Sequence, residues 1–502
     1  MQTHRRRFGS AVTRRSVLKA SALGMFATQA AMVGQLVKTP VRDVMAAGSL
    51  PDIQFDIGAF IGPSQNFNGI PFQFSTVFTG FATLRLNRTP TKSDQSVLAN
   101  ALNTIEAVFP FSPSGVFTFV SYGLPYFRRL PGGTAGTLFT SRVPRLTSNT
   151  SRFVLEEAVP SPTDVSSVNP GITKQTFNVA VRIETNDVLM TFRSDSQNTL
   201  NNILNWLFSG TNNLGGNLIA SPAFNGLFTL TSARLMFQQN GLPKQVAQQN
   251  ALPFAARIRD TSPMWMSTAD QQVSGSGPAA ICTFAGNSSA HITTAVAGNY
   301  FDNGSIQHLS HVILDLPQFY ATPAQDPPDG ETFVERVQYM FRSNDSSTAD
   351  GLPSDGFADQ FTNGGGPAFL PNRFQGTGDA ARNAQGIGTF QGEKRMGHES
   401  ALQRSSRAAD GTPMHQRMDG PGFNNMDVPG GANTAKLQFT VFVPTAEFFR
   451  VMRVNQASLD LVNQFGVPDD DNGLERFITT TRRQNFLVPP RRHRAFPLLE
   501  LT

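Results

Sequence analysis

The strongest constraint on the fold is an element order that occurs twice: an apolar strand, an amphipathic helix and another strand. Residues 74–86 are rich in Phe, Thr and Val, which suits a strand. Apolar side chains then recur at helical spacing from Val97 to Val108, and Pro110 ends that pattern. Residues 116–120 form a short predicted strand that ends at Tyr122 and Gly123. The first quarter of the chain therefore predicts strand, helix, strand.

The same order recurs further along the chain. Residues 177–183 and 188–192 predict two strands around a turn, a helix face follows, and residues 228–237 predict another strand. The alternation continues in four more segments: a strand at 305–314, a helix at 331–341, a strand at 437–443 with a helix starting at 444–445, and a strand within 482–490. This mixture predicts an α+β fold with two sheet units, each covered by helices. The order repeats without any repeat of sequence.

Residues 391–428 carry the densest set of chemically useful side chains. They include two histidines and several arginines, and they precede the apolar strand at 437–443: His398, His415, Arg395, Arg404, Arg407 and Arg417. An imidazole can ligate haem iron, and a guanidinium can stabilise negative charge on bound peroxide. Taken alone, the pattern also suits an ordinary surface or core histidine. Support must therefore come from the rest of the chain.

The N-terminus predicts export by the twin-arginine route. Residues 13–19 read TRRSVLK, a modestly apolar run follows at 20–37, and small residues at 46–48 offer a cleavage site. Polar residues such as Lys19 and Gln29 interrupt the run, so a stable membrane span is not expected. The predicted location is periplasmic or extracellular, with the twin-arginine translocase as a partner. Because this route generally exports folded proteins, it also favours a cofactor protein.

Charge and cysteine usage exclude several classes of protein. The net charge of +5 comes largely from the basic residues before position 20, so it is weak evidence for nucleic-acid binding. The basic segment 482–494 is interleaved with Pro and Phe but lacks a base-stacking platform, and no nucleic-acid partner is predicted. Cys282 is the single cysteine, which excludes an internal disulfide and a thiolate metal cluster. We expect it to be a small core residue.

Two further segments need interpretation. His308 and His311 would share a face on a helix and could then suggest a metal site. Their apolar and β-branched neighbours favour a strand, which places them on opposite faces and makes a metal site there unexpected. Residues 342–392 are rich in Gly, Asn, Asp and Ser and lack apolar periodicity, which is typical of a lid, an insertion or a partly disordered segment.

The chain resembles the dye-decolorising peroxidase superfamily through several of these segments. Residues 437–442 (LQFTVF), followed by Glu447-Phe448-Phe449, resemble its strand-to-helix step, and residues 484–490 (QNFLVPP) resemble its closing segment. Residues 116–127 and 301–316 resemble two of its other strands. The resemblance implies two ferredoxin-like halves of the dimeric α/β-barrel type, with antiparallel sheets covered by helices. The expected division is a signal peptide at 1–47, halves at 48–260 and 261–502, and an insertion at about 342–392.

The resemblance also implies a haem b cofactor and four site residues. His398, in the segment GHESALQR at 397–404, matches the histidine that ligates the iron, and Arg404 follows it as a cofactor-binding residue. Arg417 lies nineteen positions after His398, close to the place of the family's distal arginine. Asp270, in the segment STADQ at 267–271, is the nearest match to the distal aspartate of a Gly-x-x-Asp-Gly motif. Both glycines are missing, so the tight turn that lets the backbone approach a haem is not assured.

These residues have implied catalytic roles. His398 would bind the iron, and Asp270 would move a proton between the peroxide oxygens as base and then acid. Arg417 would stabilise the charge that develops as the O–O bond breaks. Electrons would arrive from an organic reductant, directly or through Trp265 or a surface tyrosine such as Tyr320.

Each assignment has a simpler alternative. Asp270 could cap a helix or satisfy a turn, and Trp265 could be an ordinary core residue. Arg417 could pair with Asp419 or Asp427. His415 could be the iron ligand instead of His398, although the residues around His398 match the family's pattern better.

The leading functional hypothesis is an exported haem peroxidase that reduces hydrogen peroxide while it oxidises an organic reductant. The second is a non-catalytic exported relative of the same fold that acts as a binding protein; the missing glycines around Asp270 favour it. A secreted carbohydrate-binding or adhesive protein would explain the Gly- and Asn-rich loops but not the helices. The oligomeric state stays open.

Overall fold

A computed structural model gives the fold of the chain. It describes residues 14–37, 50–63, 65–67, 70–72, 74–167, 172, 174, 176–267, 269–271, 278–286, 292–322, 332–340, 357–359, 387–390, 393–398, 414–457, 459–460, 462–463, 466–471 and 473–502. The helices in these residues are α1 (Arg14–Gly34), α2 (Lys92–Val108), α3 (Leu124–Phe127), α4 (Thr137–Arg142), α5 (Gln197–Phe208), α6 (Leu242–Gln249), α7 (Leu316–Phe319), α8 (Phe333–Met340) and α9 (Ala446–Ala457).

The strands are short at the periphery and long in the centre. They are β1 (Gln65–Phe67), β2 (Ile70–Phe72), β3 (Phe78–Leu86), β4 (Phe117–Gly123), β5 (Arg182–Ile183), β6 (Val188–Ser194), β7 (Phe228–Phe237), β8 (Ala269–Gln271), β9 (Ser305–Leu314), β10 (Phe357–Asp359), β11 (Ile387–Phe390), β12 (Glu393–Met396), β13 (Gln416–Arg417), β14 (Gly420–Asn424), β15 (Thr434–Val443) and β16 (Ile478–Val488).

Four of these helices, α2, α5, α8 and α9, form where the sequence predicts them, and local signals explain their ends. The α2 helix begins with a capping box, in which the Thr91 hydroxyl accepts from Asp94 N and the Asp94 carboxylate accepts from Thr91 N. Its buried stripe, from Leu98 to Ile105, follows the helical repeat, and the helix ends two residues before Pro110. Ser196 caps α5 by accepting from Thr199 N.

Both halves of the sheet have the ferredoxin-like strand order. In the first half β7, β3, β6 and β4 lie side by side, and in the second half β14, β15, β9 and β16 follow the corresponding order. The main ladders are antiparallel. The α2 and α5 helices connect strands of the first half, and α9 connects β15 to β16 in the second. The predicted fold class, α+β with two ferredoxin-like halves, is confirmed.

The two halves join into one sheet through β4 and β16. Phe486 pairs with Gly123 and Leu487 with Tyr122 in an antiparallel ladder. The far ends of the sheet then curl towards each other. A Cβ at Gly422 of β14 would lie only 3.1 Å from the Leu235 carbonyl oxygen of β7, so glycine permits this close approach. The result is a barrel-like enclosure.

Several predicted strands differ from the observed ones in length. Of residues 177–183, only Arg182 and Ile183 pair, in parallel with β16, so the alternation in that segment did not identify a full strand. Conversely, β16 runs from Ile478 to Val488 and is longer than the predicted strand within 482–490. Central strands buried on both faces need not alternate in polarity, which explains the shortened prediction.

Residues 491–502 fold back over the first half. Arg491 and Arg494 bind the Glu106 carboxylate of α2 at 2.7 and 2.6 Å, and Arg492 binds Asp302 at 2.5 Å. The hydroxyl of Tyr122 donates to the Arg494 carbonyl oxygen at 2.8 Å. The basic cluster is therefore neutralised by carboxylates of the same chain.

The α1 helix packs on the sheet of the first half. Its buried residues include Phe26, whose ring lies 3.1 Å from where a Cβ at Gly80 of β3 would be. Among the residues that the structure describes, no helix combines the length and the apolar character needed to cross a bilayer.

Candidate functional site

An apolar cavity lies on the outer face of the second half, between the sheet and α9. Its volume is about 120 Å³, the space that about four water molecules occupy in the liquid. The walls combine apolar side chains with a few polar groups: Met264, Trp265, Met266, Ser310, Val312, Leu314, His398, His415, Arg417, Asp419, Leu437, Phe439, Met452, Arg453, Gln456, Leu474, Glu475, Ile478, Thr480 and Arg483.

Strand alternation on β9 and β15 forms the floor of this cavity. Ser310, Val312 and Leu314 of β9 point to it, and Phe439 and Leu437 of β15 lie opposite Ser310 and Val312 in the ladder. The residues between them on β9 face the interior of the barrel. The floor is therefore set by the two-residue period of the sheet.

Four of the side chains in the motif-rich stretch reach the cavity. His398, just beyond β12, is half-buried at the wall, and His415 is buried beside it in the lining. Arg417, in β13, and Asp419, two residues later, also line the cavity, while Met418 between them is buried in the apolar end of the barrel. The structure thus brings His398 and Arg417 to one site, with His415 and Asp419 near them.

Two buried ion pairs support the charged side of the cavity. Arg453 of α9 forms two hydrogen bonds with Glu475, at 3.0 and 3.1 Å, and Arg483 of β16 forms two with Asp164, at 2.8 and 2.9 Å. Burial opposes ionisation of both carboxyl groups, yet the partner guanidinium in each case holds the carboxyl pKa below its usual value. Both pairs are therefore charged at neutral pH.

The predicted aromatic relay residues are both buried. Trp265 lines the cavity and donates from Nε1 to the Gly422 carbonyl oxygen at 3.3 Å. Tyr320 is 2% exposed and donates its hydroxyl hydrogen to the Trp265 carbonyl oxygen at 2.7 Å. The prediction of Tyr320 as a surface tyrosine is therefore wrong, because α7 carries it into the core.

The turn before Asp270 keeps a glycine-like backbone without a glycine. Ser267 occupies the first position of the expected Gly-x-x-Asp-Gly motif and has φ +69°, a conformation that L-residues rarely adopt. Its hydroxyl donates to the Arg257 carbonyl oxygen at 2.8 Å and lies 2.9 Å from the Tyr320 hydroxyl. The left-handed turn that the sequence left unassured is present at this position.

The remaining predicted residues are placed only in part. The backbone of Asp270 lies in β8, opposite Ala358 of β10 in a short parallel pairing, and its side chain is outside the described residues. Arg404 also lies outside them. Asp427 binds Arg482 with two hydrogen bonds, at 2.5 and 2.7 Å, and the pairing of Arg417 with Asp419 or Asp427 stays a prediction.

The histidines of β9 lie on opposite faces of a strand, as predicted. His308 stacks on Phe449 of α9, with ring centroids 3.7 Å apart. His311 faces the barrel interior, where its Nδ1 lies 3.0 Å from Gln438 Oε1. Cys282 is fully buried, which confirms its assignment to the core.

Sequence reasoning missed the polar residues on the sheet side of the cavity. Ser310 and Arg453 lie in segments that were interpreted by apolar pattern alone, Arg483 lies in a basic segment that was considered only for nucleic-acid binding, and Glu475 lies in a segment that was not interpreted. Polar residues at positions where the helix or strand pattern expects burial were the available signal.

The donor set and lining fit a haem. A histidine can serve as the single protein ligand to haem iron, and an apolar wall with a nearby guanidinium suits the rest of the group. Within the described residues no cluster of three His, Cys, Asp or Glu could hold a bare metal ion. The volume enclosed by the described lining residues, about 120 Å³, is below the usual ~300–1,000 Å³ of ligand pockets, so the fit to a haem is one of donor chemistry and lining and not of volume.

The fold and site together define a two-half, ferredoxin-like α+β protein with an apolar cavity lined by imidazole and guanidinium groups. A family model matches residues 78–490, and its description is "Family of unknown function (DUF7405)". The chain belongs to this family. A search of curated proteins found no match.

Three of the solved structures that match this chain in fold are DyP-type peroxidases. A protein described as DyP-type from Shewanella oneidensis is 13% identical with TM-score 0.48, and the match covers 86% of this chain and 96% of that one. The encapsulated enzyme from Mycobacterium smegmatis is 12% identical with TM-score 0.43, covering 87% and 99%. A haem-bound variant of DypB from Rhodococcus jostii is 9% identical with TM-score 0.43, covering 87% and 99%. Likeness at these values supports no inference about the residues of this chain.

Proposed function

We propose that the chain is a haem peroxidase of the dye-decolorising type, which reduces hydrogen peroxide while it oxidises an organic reductant. One observation carries the proposal. His398 and Arg417, chosen from a resemblance of sequence, both line one apolar cavity that also contains Trp265. An imidazole and a guanidinium in such a cavity have the chemistry that the reaction needs.

The residues of the chain have separate roles in this proposal. His398 would hold the iron, and a bound haem b would supply the centre at which peroxide is reduced. Arg417 would stabilise negative charge on the bound peroxide, because the apolar lining strengthens its field. Asp270 remains the proposed proton carrier from the sequence, and Arg404 remains a proposed contact to the cofactor.

The first test is a haem absorbance spectrum of the full chain beside a His398→Ala variant. We expect a Soret band in the wild type and its loss or marked shift in the variant, because the iron loses its protein ligand. His493→Ala is the matched control, because His493 pairs with Glu500 and is not among the residues that line the cavity. A band that stays the same in His398→Ala would remove this residue as the ligand.

A second variant separates cofactor binding from catalysis. Arg417→Leu is expected to keep the Soret band and to consume peroxide roughly 10²–10³-fold more slowly, the usual cost of removing a charge-stabilising donor. Stopped-flow measurement of peroxide consumption would detect this change. Wild-type rates in Arg417→Leu would contradict its proposed role.

We also propose that the chain is exported by the twin-arginine translocase to a periplasmic or extracellular location. The support is the segment TRRSVLK at 13–19 with the apolar run and small residues that follow it. Replacement of Arg14 and Arg15 by lysine is expected to leave the protein unexported. Fractionation of cells that express each form would show the difference.

The second candidate function is a non-catalytic binding protein. The small volume of the cavity, about 120 Å³, favours it because such a space suits a compact apolar ligand better than a porphyrin. It predicts no Soret band in purified wild type and binding of a small apolar fluorescent probe that Val312→Phe abolishes by filling the cavity. Haem uptake by the wild type would contradict this alternative.

A further inference from the structure

A serine, a histidine and an asparagine form a hydrogen-bonded row beneath α9. Ser310 Oγ lies 2.7 Å from His308 Nε2, and His308 Nδ1 lies 2.7 Å from Asn485 Oδ1. All three side chains are at most 5% exposed. Ser310 and His308 share one face of β9 because they are two residues apart, and Asn485 pairs with His308 across the ladder to β16.

The partners of this row fix where its hydrogens lie. Asn485 Nδ2 donates to the Glu156 carbonyl oxygen at 3.1 Å, so Asn485 presents its oxygen to the imidazole. His308 Nδ1 must therefore carry a hydrogen, and in the neutral ring Nε2 is left as an acceptor. The Ser310 hydroxyl then donates to Nε2. Stacking on Phe449 holds the ring plane.

The row connects two cavities. Ser310 lines the apolar cavity that contains His398 and Arg417. His308 and Asn485 line a second cavity of about 380 Å³ on the other side of α9, whose walls also include the charged residues Arg152, Glu156 and Arg450. A charge gained by His308 would therefore lie beside a cavity with charged groups in its walls.

We propose that Ser310 and His308 are an acid–base pair of the apolar cavity. Hydrogen peroxide bound there gives the proton of one oxygen to Ser310 Oγ as the Ser310 proton moves to His308 Nε2. The reverse transfer delivers a proton to the other oxygen, which leaves as water as the O–O bond breaks. The organic reductant loses the two electrons and two protons that convert the remaining oxygen into a second water. Ser310 contacts the substrate, whereas His308 acts through Ser310. This inference rests on the proposed peroxidase function and gives to Ser310 and His308 the proton transfer that the sequence assigned to Asp270.

The surroundings of His308 favour the neutral imidazole. Burial lowers the pKa of His308 well below its ordinary value, Arg483 and Arg453 lower it further, and Asn485 and Asp164 oppose the shift. The ring is therefore neutral at pH 7 and able to accept a proton. Once charged, it returns the proton readily.

The test uses the full chain and two kinds of readout. In the protein without added haem, nitrogen-15 NMR of histidine is expected to show His308 protonated at Nδ1 and bare at Nε2, with the Nε2 resonance displaced in Ser310→Ala. In the haem-loaded chain, Ser310→Ala and His308→Gln are expected to keep the Soret band and to consume peroxide about 10²-fold more slowly. Ser310→Thr, which retains the hydroxyl, should restore most of the rate.

Ser305→Ala is the matched control, because Ser305 lies on the same strand and donates to the Cys282 and Val443 carbonyl oxygens outside the cavity. It is expected to react at the wild-type rate. A His308 ring protonated at Nε2, or wild-type rates in Ser310→Ala and His308→Gln with an intact Soret band, would overturn this proposal alone. A wild-type chain that takes up no haem would overturn both this proposal and the peroxidase function.

Discussion

Ser267 has a strained backbone and lies in the turn before Asp270, a predicted site residue. Its φ of +69° costs about 1–2 kcal/mol in an L-residue, yet the position is occupied by serine and not glycine. The hydrogen bond to the Arg257 carbonyl oxygen offsets this cost. The turn that leads to Asp270 is thus fixed by side-chain hydrogen bonding, where a glycine would fix it by conformational freedom.

Two variants at this position separate strain from hydrogen bonding. Ser267→Ala keeps the strained backbone and loses the buried hydrogen bond, so the free energy of unfolding should fall by about 1–3 kcal/mol. Ser267→Gly loses the same hydrogen bond but relieves the strain, so it should fall by less. Urea unfolding measures both. A glycine variant less stable than the alanine variant would contradict this account.

Lys436 is a second residue whose environment has a measurable consequence. It is fully buried in the barrel, and its ammonium donates to the Met426 carbonyl oxygen at 3.0 Å. Burial lowers its pKa to about 7, Asp427 opposes this shift, and Arg482 adds to it. Below pH 7 the buried, charged amine therefore lowers the free energy of unfolding by its full amount. This loss shrinks as the pH rises and disappears near the lysine pKa of the unfolded chain, about 10.4.

Lys436→Met should therefore stabilise the chain more at pH 6 than at pH 9. The gain in the free energy of unfolding should be about 2–3 kcal/mol larger at pH 6. At pH 9, about two pH units above the folded-state pKa, part of the cost of burying the amine is already gone in the wild type. Denaturant unfolding at the two pH values measures it. Lys92→Met, at an exposed position, is the control and should change stability equally at both. An equal gain for Lys436→Met at both pH values would show that this amine is not the titrating group.

At the scale of elements, α9 and β16 hold the charged side of the cavity through pairs that neither element could satisfy alone. Arg453 and Glu475 are 10% and 4% exposed in their side chains, so either group without its partner would be a buried, uncompensated charge. Thr163 adds a hydrogen bond to the same carboxylate. The position of α9 over the sheet is thereby fixed by charge as well as by apolar packing.

A double-mutant cycle tests this coupling. Glu475→Met is expected to lower the free energy of unfolding by about 3–5 kcal/mol, because Arg453 stays buried and charged, and Arg453→Met is expected to cost a similar amount because Glu475 is left without its partner. The double variant Arg453→Met with Glu475→Met should lose much less, since both charges are removed together. Urea midpoints of the two single variants and the double variant give the coupling energy. If the stability losses of the two single variants add up to the loss of the double variant, Arg453 and Glu475 are not coupled.

The sequence was informative for elements with strong local signals. The α2 helix, β7 and β9 match their predicted extents because capping residues, proline and apolar spacing specify them locally. The site was predictable only in part. His398, Arg417 and Trp265 came from a resemblance, whereas Ser310 reaches the cavity through strand register and Arg483 pairs with Asp164, 319 residues away. Single-sequence patterns contain no information on such contacts.

At the scale of the whole molecule, the β4–β16 ladder makes the two halves one sheet. Residues 491–502 strengthen this connection, because Phe496 is fully buried and packs against Tyr122, Tyr126 and Phe228 of the first half. The backbone N–H of Phe496 also donates to the Tyr122 hydroxyl at 2.7 Å. We therefore expect the two halves to unfold together.

Phe496→Ala tests this expectation. It should cost about 3–5 kcal/mol by leaving a cavity among aromatic rings, and the single unfolding transition should move as a whole without splitting into two. Leu501→Ala, at a residue 43% exposed, should change stability by less than about 0.5 kcal/mol. Fluorescence and circular dichroism that report separate midpoints would contradict a single cooperative unit.

The fold-back of residues 491–502 onto α2 and β4 also constrains the timing of folding during synthesis. The carboxylate of Glu106 and the hydroxyl of Tyr122 meet their partners only after the ribosome has made Arg491 and Phe496. A nascent chain that holds only the first half lacks both these partners and the β16 edge. Completion of the amino-terminal half is thus delayed until residues 491–496 have been translated, which gives chaperones a long interval in which to bind it.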